Sequence, residues 1–559
     1  MFFYVRYGFN SLVPYRSVFQ NTFQNTLKSF ARKTTMHAKP PNILVYAKTE
    51  SIRIGLVESL RTIVQSNTYT VYPITESQAR NRAWPDSTAL LLVHGPIEQG
   101  LTDVFLDFFL NGGKLFGICC MEILQKIQSL KSCEGDIQFP KFLGNIQSAR
   151  EIHIDVLSHS GTASSLTIVK STGKAVFSTK KLTNVSASDS KPNLRLYKDV
   201  LSSQLDIHVA TLNCNETPDS EMGFLMGSDK CKTDFLAQVN DLSDASDVLK
   251  TGKISLQFFS EPLSPIIPTS VLKPISLNHV PIDFSASDYY NNLKTYTFGR
   301  LALYLPVVSS SMEIVSNARL THGFVVIPRR QTNGIGRSNN QWLSPKGCAM
   351  FSIQLHVPLY SPLGQRLPLA QHLVAIAIVK AIRESGPGFD QLDVRLKWPN
   401  DIYANGVTKI GGCITNSQVQ STEAIVNIGC ALNLSNSTPT VCLDDLIHDI
   451  NSRMGTNLPN LRYEQILALI FNEIERLFNK VQCEDLHCLY ELYYRYWLHQ
   501  DKLVTVKNEE GSEVTGRIKS IDEYGYLLVE LDNHVKPICI HPDGNSFDMM
   551  KGLIIPKNF

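Results

Sequence analysis

"RLKWPNDIYANGVTKIGGCI", residues 395–414, is the stretch on which the reading of this chain turns. Lys397, Trp398, Pro399, Asn400 and Asp401 follow one another without a break. Lys409, Gly411 and Gly412 come shortly after. Proline lacks a backbone donor and fixes its own φ, so a Trp-Pro-Asn-Asp string makes a poor helix and a poor central strand. Its polar tips are therefore exposed or held for a purpose. The plain alternative for Asp401 is a turn cap, a role that Asp suits well. For Lys409 it is a solvated surface lysine.

Two further stretches bear on it. "RRQTNGIGRSNNQWLSP" (329–345) carries Gly334, Ile335, Gly336 and Arg337. A loop that binds phosphate closely needs glycines, because a Cβ blocks backbone approach, and it needs N–H groups or a guanidinium for the charge. Alone, glycine beside arginine is more often just a turn. "STEAIVNIGCALNLS" (421–435) reads as strand, turn and strand, and its "NIGCALNLS" part (427–435) carries Gly429, Ala431 and Asn433.

The totals set bounds. At 559 residues the chain is too long for one core, so about three domains are expected. A net charge of +2 gives no electrostatic case for nucleic acid. No apolar run is long enough to span a membrane. Twelve cysteines without a C-x-x-C pair suggest neither a disulfide framework nor a structural zinc site, and no metal ligands are assigned. From Met1 to Thr49 there is no Asp or Glu, while Arg and Lys are scattered among Ser, Thr, Asn and aromatics. That is the composition of a mitochondrial transit peptide; a tail without function is the alternative. Initiation at Met36 would give a cytosolic form beside an organellar one.

Along the chain, "NILVYAK" (42–48), "ALLLVHG" (89–95) and "GKLFGICC" (113–120) are short apolar runs, and "LTDVFLDFFLNGG" between the last two reads as a helix closed by glycine. Strands alternating with helices argue for a parallel α/β sheet. Residues 155–270 read as the rest of this unit, and "EPLSPIIPTSVLKP" (261–274), with four prolines, as a linker. Further on, "HGFVVIPRR" and "CAMFSIQLHV" read as strands and "AQHLVAIAIVKAIRES" as a buried helix. Ile466, Ile470, Ile474 and Leu477 make one helical stripe. From about 495, alternating strands separated by "NEEG" and "DEYG" suggest a small β-barrel.

The three motif stretches, in this order and spacing, resemble the catalytic domain of biotin protein ligases, above all the larger eukaryotic, holocarboxylase synthetase type. That family's motifs read roughly Q-T-x-G-R-G-R-x-x-x-x-W-x-S-P, then K-W-P-N-D-[LIV]-Y with K-[LI]-x-G, then G-x-x-x-N. "FGRLALY" (298–304), "SNSTPTVCLDDLI" (435–447) and "HPDGNSFDMMKGLI" (541–554) are similar to eukaryotic members. The resemblance covers about 275–559. It implies a multidomain α/β and α+β chain. Residues 1–40 are a transit peptide or tail, and 41–270 an amidotransferase-like parallel α/β domain. Residues 275–494 are an α+β biotin/lipoate ligase-type catalytic domain, and 495–559 a small C-terminal β-barrel.

It also implies the activity. Biotin joins ATP to give biotinyl-5′-AMP and pyrophosphate, and the biotinyl group passes to a lysine of a carboxylase carrier domain. ATP, Mg²⁺ and biotin are the small molecules, with Mg²⁺ held mainly by phosphate oxygens and water. Carrier domains of biotin-dependent carboxylases are the partners; neither nucleic acid nor membrane is one. Location is cytoplasmic, mitochondrial or both. Arg337 and Lys409 are aimed at the charge developing around the α-phosphate. Asp401 assists the acceptor lysine, whose free pKa of about 10.4 means that it needs help losing its proton. By resemblance, biotin is held by Ser310, Ser311, Met312, Gln331, Gly334, Ile335, Gly336, Arg337, Lys409, Gly429 and Ala431. ATP is held by Arg337, Asn400, Asp401, Lys409 and Asn433. The two serines also suit a helix N-cap before "MEIVSNARL". Trp342 reads as an anchor for its loop.

Two departures stand out. The family's first G-R-G-R arginine is here Ile335, which has no side-chain hydrogen bond to give. This motivates the alternative of a catalytically weak biotin-binding pseudoenzyme; a lipoate–protein ligase is the other, against which the K-W-P-N-D string argues. Near the N-terminus, "LLLVHGPIEQGLTDVFLDFFLNGGKLFGICC" (90–120) resembles class I glutamine amidotransferases and the amidotransferase-like domain of fungal biotin ligases. Gly117 and Cys119 match the G-x-C-x-G elbow, but Met121 replaces its second glycine, and no downstream His is followed by Glu two residues on. Cys119 is therefore read as a vestigial nucleophile.

Overall fold

The computed structural model describes residues 41–123, the strands at 151–157, 163–169 and 174–178, and residues 201–556. Short gaps interrupt it at 65–67, 81–83, 99, 119, 121, 203–204, 206, 210–221, 243–246, 261–267, 270, 338–340, 438–439, 484–485, 508–512, 532–535, 543–544 and 549–552. The readings of residues 1–40 and of Cys119 and Met121 lie outside the described residues, as does the "NEEG" turn. Among the described residues no helix is long and apolar enough to cross a membrane.

The first sheet consists of β1 (Asn42–Ala47), β2 (Thr70–Pro73), β3 (Thr88–His94), β4 (Lys114–Ile118), β5 (Glu151–Leu157), β6 (Ala163–Val169) and β7 (Lys174–Ser178). Its order is β2-β1-β3-β4-β7-β5-β6, parallel throughout except between β5 and β6. Helices α1 (Glu50–Ile63), α2 (Glu76–Arg80) and α3 (Leu101–Leu110) accompany it. Strand residues alternate between two cores. Leu44, Tyr46, Leu91 and Val93 pack with Phe105 and Phe109 of α3, while Ile43, Val45, Leu90 and Leu92 pack with Val57 and Leu60 of α1. Burial on both faces is why these strands read as unbroken apolar runs.

The second sheet has twelve strands. They are β8 (Gly223–Met226), β9 (Val248–Thr251), β10 (Ile254–Phe259), β11 (Leu272–Ser276), β12 (Ala302–Val308), β13 (Val325–Ile335), β14 (Gln341–Ser344), β15 (Cys348–Pro358), β16 (Val394–Lys397), β17 (Asp401–Ala404), β18 (Thr408–Gln420) and β19 (Glu423–Asn433). The order is β16-β17-β18-β19-β15-β13-β12-β8-β11-β10-β9, with β14 paired to β13. Around it lie α4 (Asp229–Leu242), α5 (Ala286–Asn292), α6 (Ser311–Ser316), α7 (Leu369–Arg383), α8 (Leu443–Met454), α9 (Tyr463–Cys483) and α10 (His487–Tyr496). Helix α7 is apolar almost all round and correspondingly buried. The stripe Ile466, Ile470, Ile474 and Leu477 of α9 faces the core, as expected.

Two sequence expectations are corrected here. The boundary expected near 270–275 does not coincide with a boundary between sheets, because β8 pairs antiparallel with β12 and β8, β11 and β10 follow in parallel. Pro274, read as part of a linker, sits inside β11 opposite Gln257, one residue before pairing with β8 begins at Ile275. A proline at the start of a pairing costs no ladder bond on that side. The strand–turn–strand expected at 421–435 is one strand, β19, paired along its whole length with β15. Its Gly429 makes no turn; a Cβ there would lie 2.5 Å from Met312 Cγ, so the glycine makes room for α6.

The C-terminal strands are β20 (Leu503–Lys507), β21 (Glu513–Ile521), β22 (Leu527–Leu531), β23 (Ile538–Ile540), β24 (Asn545–Asp548) and β25 (Leu553–Pro556). Where a small barrel was expected they form a six-stranded sheet, β23-β22-β21-β20-β25-β24, antiparallel except between β20 and β25. Val504, Ile518, Leu527 and Val529 share one core with α7, α9 and α10.

Candidate active site

The K-W-P-N-D string is the bend between β16 and β17, and its Trp398–Pro399 bond is cis. Asp401 opens β17 opposite Lys397, with Gly412 of β18 on its other side. Its Oδ1 lies 2.5 Å from Lys409 Nζ and its Oδ2 3.7 Å from Lys397 Nζ. One carboxylate thus sits between two lysines, all three largely buried. A Cβ on Gly412 would come within 3.2 Å of Asp401 Oδ1, so the glycine leaves that carboxylate its space. Lys409 Nζ also stands 5.2 Å from the centroid of the Trp342 ring. The tryptophan expected to anchor its loop therefore offers its π face to the site's lysine.

Asn400 points inward. Its Nδ2 donates to the Cys413 carbonyl, and its own carbonyl accepts from Cys413 N–H at 2.9 Å. Trp398 is buried behind the bend, donating through Nε1 to Gly525 O (3.0 Å) and through its backbone N–H to His499 Nε2 (3.1 Å). Since Nε2 accepts, His499 is neutral with its proton on Nδ1. Burial pushes its pKa well below the usual histidine value, and the charges of Lys397 and Lys502 push it further down. The bend is thereby fastened to the β21–β22 turn.

The glycine-rich stretch is a hairpin more than a loop. Strand β13 runs on through Ile335 and turns back as β14, pairing Gly334 with Trp342. A Cβ on Gly334 would lie 2.6 Å from Trp342 O, so this glycine serves strand approach. Ile335 is 43 % exposed at the hairpin end. Arg337 follows, half-buried and engaged.

Ser310, Ser311 and Met312 open α6 and are buried. Ser310 occupies the N-cap position but makes no side-chain cap bond. Ser311 donates to Gln331 Oε1 from its N–H (2.7 Å) and its Oγ (3.1 Å), and its Oγ lies 2.8 Å from Ser352 Oγ. Gln331 Nε2 donates to Ser344 Oγ (3.4 Å) and Met350 Sδ (3.2 Å). Gly429 and Ala431 of β19 lie in register with Ser352 and Met350 on one side and with Ile414 and Gly412 on the other. Asn433 is buried, donating to Thr440 Oγ1 (2.9 Å) and Val441 O (3.3 Å) and accepting from Asn436 (2.9 Å), so it holds the turn after β19.

Sequence reasoning quoted Lys397 without giving it a place beside Asp401. It passed over Ser344, Met350, Ser352, Gln354 and His499. The signal for Ser352 and Gln354 was available: two polar residues at a spacing of two in the otherwise apolar "CAMFSIQLHV". Among the described residues no group of three or more His, Cys, Asp and Glu is arranged to hold a metal. Asp401 is already flanked by two ammonium groups, which suits Mg²⁺ arriving on nucleotide phosphates better than a protein-held ion.

Residues 304–433 match the biotin/lipoate A/B protein ligase family, and residues 501–552 the biotin protein ligase C-terminal domain. A human biotin–protein ligase is 28% identical over 580 aligned positions, covering 94% of this chain and 79% of its own length. Biotin–protein ligase 2 of Arabidopsis thaliana is 36% identical over 281 positions, covering 49% of this chain and 82% of its own length. Among solved structures, a biotin protein ligase from Aquifex aeolicus in complex with biotin and ATP is 21% identical, with a TM-score of 0.33, covering 42% of this chain and 94% of that one.

Proposed function

We propose, from the premise that this chain belongs to the biotin–protein ligase family, that the Lys409–Asp401 pair is where its two half-reactions meet. The activity is that of an ATP-dependent, AMP-forming ligase acting on biotin and on proteins that carry it. A biotin carboxylate oxygen attacks the α-phosphorus of ATP, the bond to the β-phosphate oxygen breaks, and pyrophosphate leaves. The acceptor amine then attacks the acyl carbon, loses a proton, and AMP departs.

The residues divide this work as follows. Lys409 and Arg337 face the charge that builds on the α-phosphate. Lys397 helps hold Asp401 in place while Lys409, already positioned, shares its charge with the phosphate. Asp401 then accepts a hydrogen bond from the incoming amine and takes up its proton or passes it on. The Ser310, Ser311 and Gln331 cluster holds the polar ring of biotin. Gly429 and Ala431 present backbone to it, and Met312 supplies apolar wall. Gly334 and Gly336 keep the hairpin close to the ligand. Asn400 and Asn433 serve the nucleotide by fixing the bend and the turn that flank it. The observation that carries this reading is the buried Lys397–Asp401–Lys409 cluster against Trp342. The test is transfer of labelled biotin to a carboxylase carrier domain in the presence of ATP and Mg²⁺. Label that stays bound without transfer would leave only a binding protein.

Ile335 tunes the hold on the intermediate. Ile335→Arg adds a donor at an exposed hairpin end, and a charge-assisted bond of about 1.5 kcal/mol corresponds to roughly tenfold slower release of biotinyl-5′-AMP. Unchanged release in a stopped-flow chase would make Ile335 mere loop filling.

Three further readings belong here. The parallel order β2-β1-β3-β4 supports an amidotransferase-like N-terminal fold in which Cys119 no longer acts; glutamine hydrolysis lost on Cys119→Ala would overturn that. The acid-free stretch up to Thr49 supports a mitochondrial as well as a cytosolic form, which the mature N-termini in each cell fraction would reveal. The preferred acceptors are carrier domains of biotin-dependent carboxylases.

A further inference from the structure

We infer that Gln354 is a positioning residue for biotin, acting through α6; this rests on the reading that Ser310, Ser311 and Met312 form part of the biotin pocket. Helix α6 has six residues. Helices that short have no stability of their own in water, so what surrounds α6 must hold it. Strand β15 grips it at two points. Ser352 meets Ser311 Oγ at the N-terminal end. Gln354, two residues on and so on the same face, takes the other end.

Gln354 is fully buried. The two hydrogens of its Nε2 are shared among Val315 O (2.8 Å), Ala318 O (2.9 Å) and Asn427 Oδ1 (2.9 Å), and its Oε1 accepts from Leu320 N–H (2.7 Å). Val315 O belongs to the last turn of α6, a carbonyl that the helix cannot satisfy from within, and Ala318 O and Leu320 N–H lie in the segment just after it. Asn427 extends the chain. Its Nδ2 donates to Asn416 Oδ1 (2.9 Å), and Asn416 Nδ2 donates to Ser316 Oγ on α6 (2.7 Å). One buried amide therefore sets where α6 ends, while Ser352 and Gln331 set where it begins. The network runs through β15, β18, β19 and α6, whereas Asp401 pairs with Lys409 and Lys397 at the β16–β17 bend, so its loss falls on biotin more than on the nucleotide.

The test uses the full chain with three variants. Gln354→Met keeps the shape and removes the bonds. Asn416→Ala removes an exposed member and leaves the core intact. Ser311→Ala tests the pocket itself. We expect Gln354→Met to raise the KM for biotin about tenfold and Asn416→Ala about twofold to threefold, with the KM for ATP and kcat at saturating biotin each held within about twofold. A fall in kcat with the biotin KM unmoved would show a merely structural role and overturn the inference, as would two variants indistinguishable from the parent. Should Gln354→Met not fold, Asn416→Ala decides alone. If Ser311→Ala leaves the biotin KM unchanged, the pocket reading itself fails. If Ser311→Ala raises it and the other two do not, only the role of Gln354 falls.

Discussion

Lys409→Ala is expected to lower the formation of biotinyl-5′-AMP by at least about 100-fold, the effect of removing one pre-aimed donor from a site where charge develops. The expectation rests on geometry. Lys409 Nζ is held on one side by Asp401 Oδ1 at 2.5 Å and on another by the Trp342 ring, so its position is set before any substrate arrives. A pre-aimed charge needs no reorganisation in the transition state. Removal also leaves Asp401 facing Lys397 at 3.7 Å. Biotin-dependent exchange of pyrophosphate into ATP measures the effect, and an unchanged thermal midpoint would show that the fold survives. Activity within about threefold of the parent would put the α-phosphate elsewhere.

Trp398→Ala is expected to destabilise the protein by about 3–5 kcal/mol, the range for deleting a buried aromatic side chain. Trp398 is among the largest fully buried side chains, and its indole N–H bonds to Gly525 O across the bend. The alanine variant therefore loses both packing and the link to the β21–β22 turn. That turn is tightly fitted, since a Cβ on Gly525 would lie 2.5 Å from His372 Nε2 on α7. Denaturant unfolding gives the stability. Hydrogen exchange should show Gly525 and Tyr526 losing protection ahead of β12 and β13. A loss below about 1 kcal/mol would mean that the bend is held by the His499 bond alone.

Much of this was legible because it is local. The Trp-Pro-Asn-Asp string announces a bend through proline's missing donor, and the structure shows that bend between β16 and β17. The isoleucines of α9 announce a buried stripe by their spacing alone. Strand partnership is not local. Nothing in "ISLQFFS" says whether it extends the first sheet or the second, and β10 belongs to the second. The four prolines of 261–274 pointed to a linker, yet Pro274 is accommodated where its missing N–H is not needed. The stretch 421–435 was read as strand, turn and strand, whereas it is one strand in which the missing Cβ of Gly429 admits Met312.

The site shows the same division. Lys409 and Asp401 could be named from the sequence because the stretch that carries them resembles the family's K-W-P-N-D and K-[LI]-x-G motifs. Whether an amide faces ligand or protein could not. Asn400 and Asn433 both bond inward, and Gln354 became visible only once Val315, Ala318 and Leu320 stood around it. A buried polar side chain looks the same in a sequence whether it binds substrate or holds the helix that does.

The central claim is that these residues activate biotin as an acyl-adenylate before any acceptor is engaged. Biotin-dependent exchange of labelled pyrophosphate into ATP, run on the purified chain with Mg²⁺ and no carrier protein, tests it most directly. Exchange that requires biotin and is lost in Lys409→Ala is the expected result. Stoichiometric biotin binding with no exchange in the parent chain would contradict it.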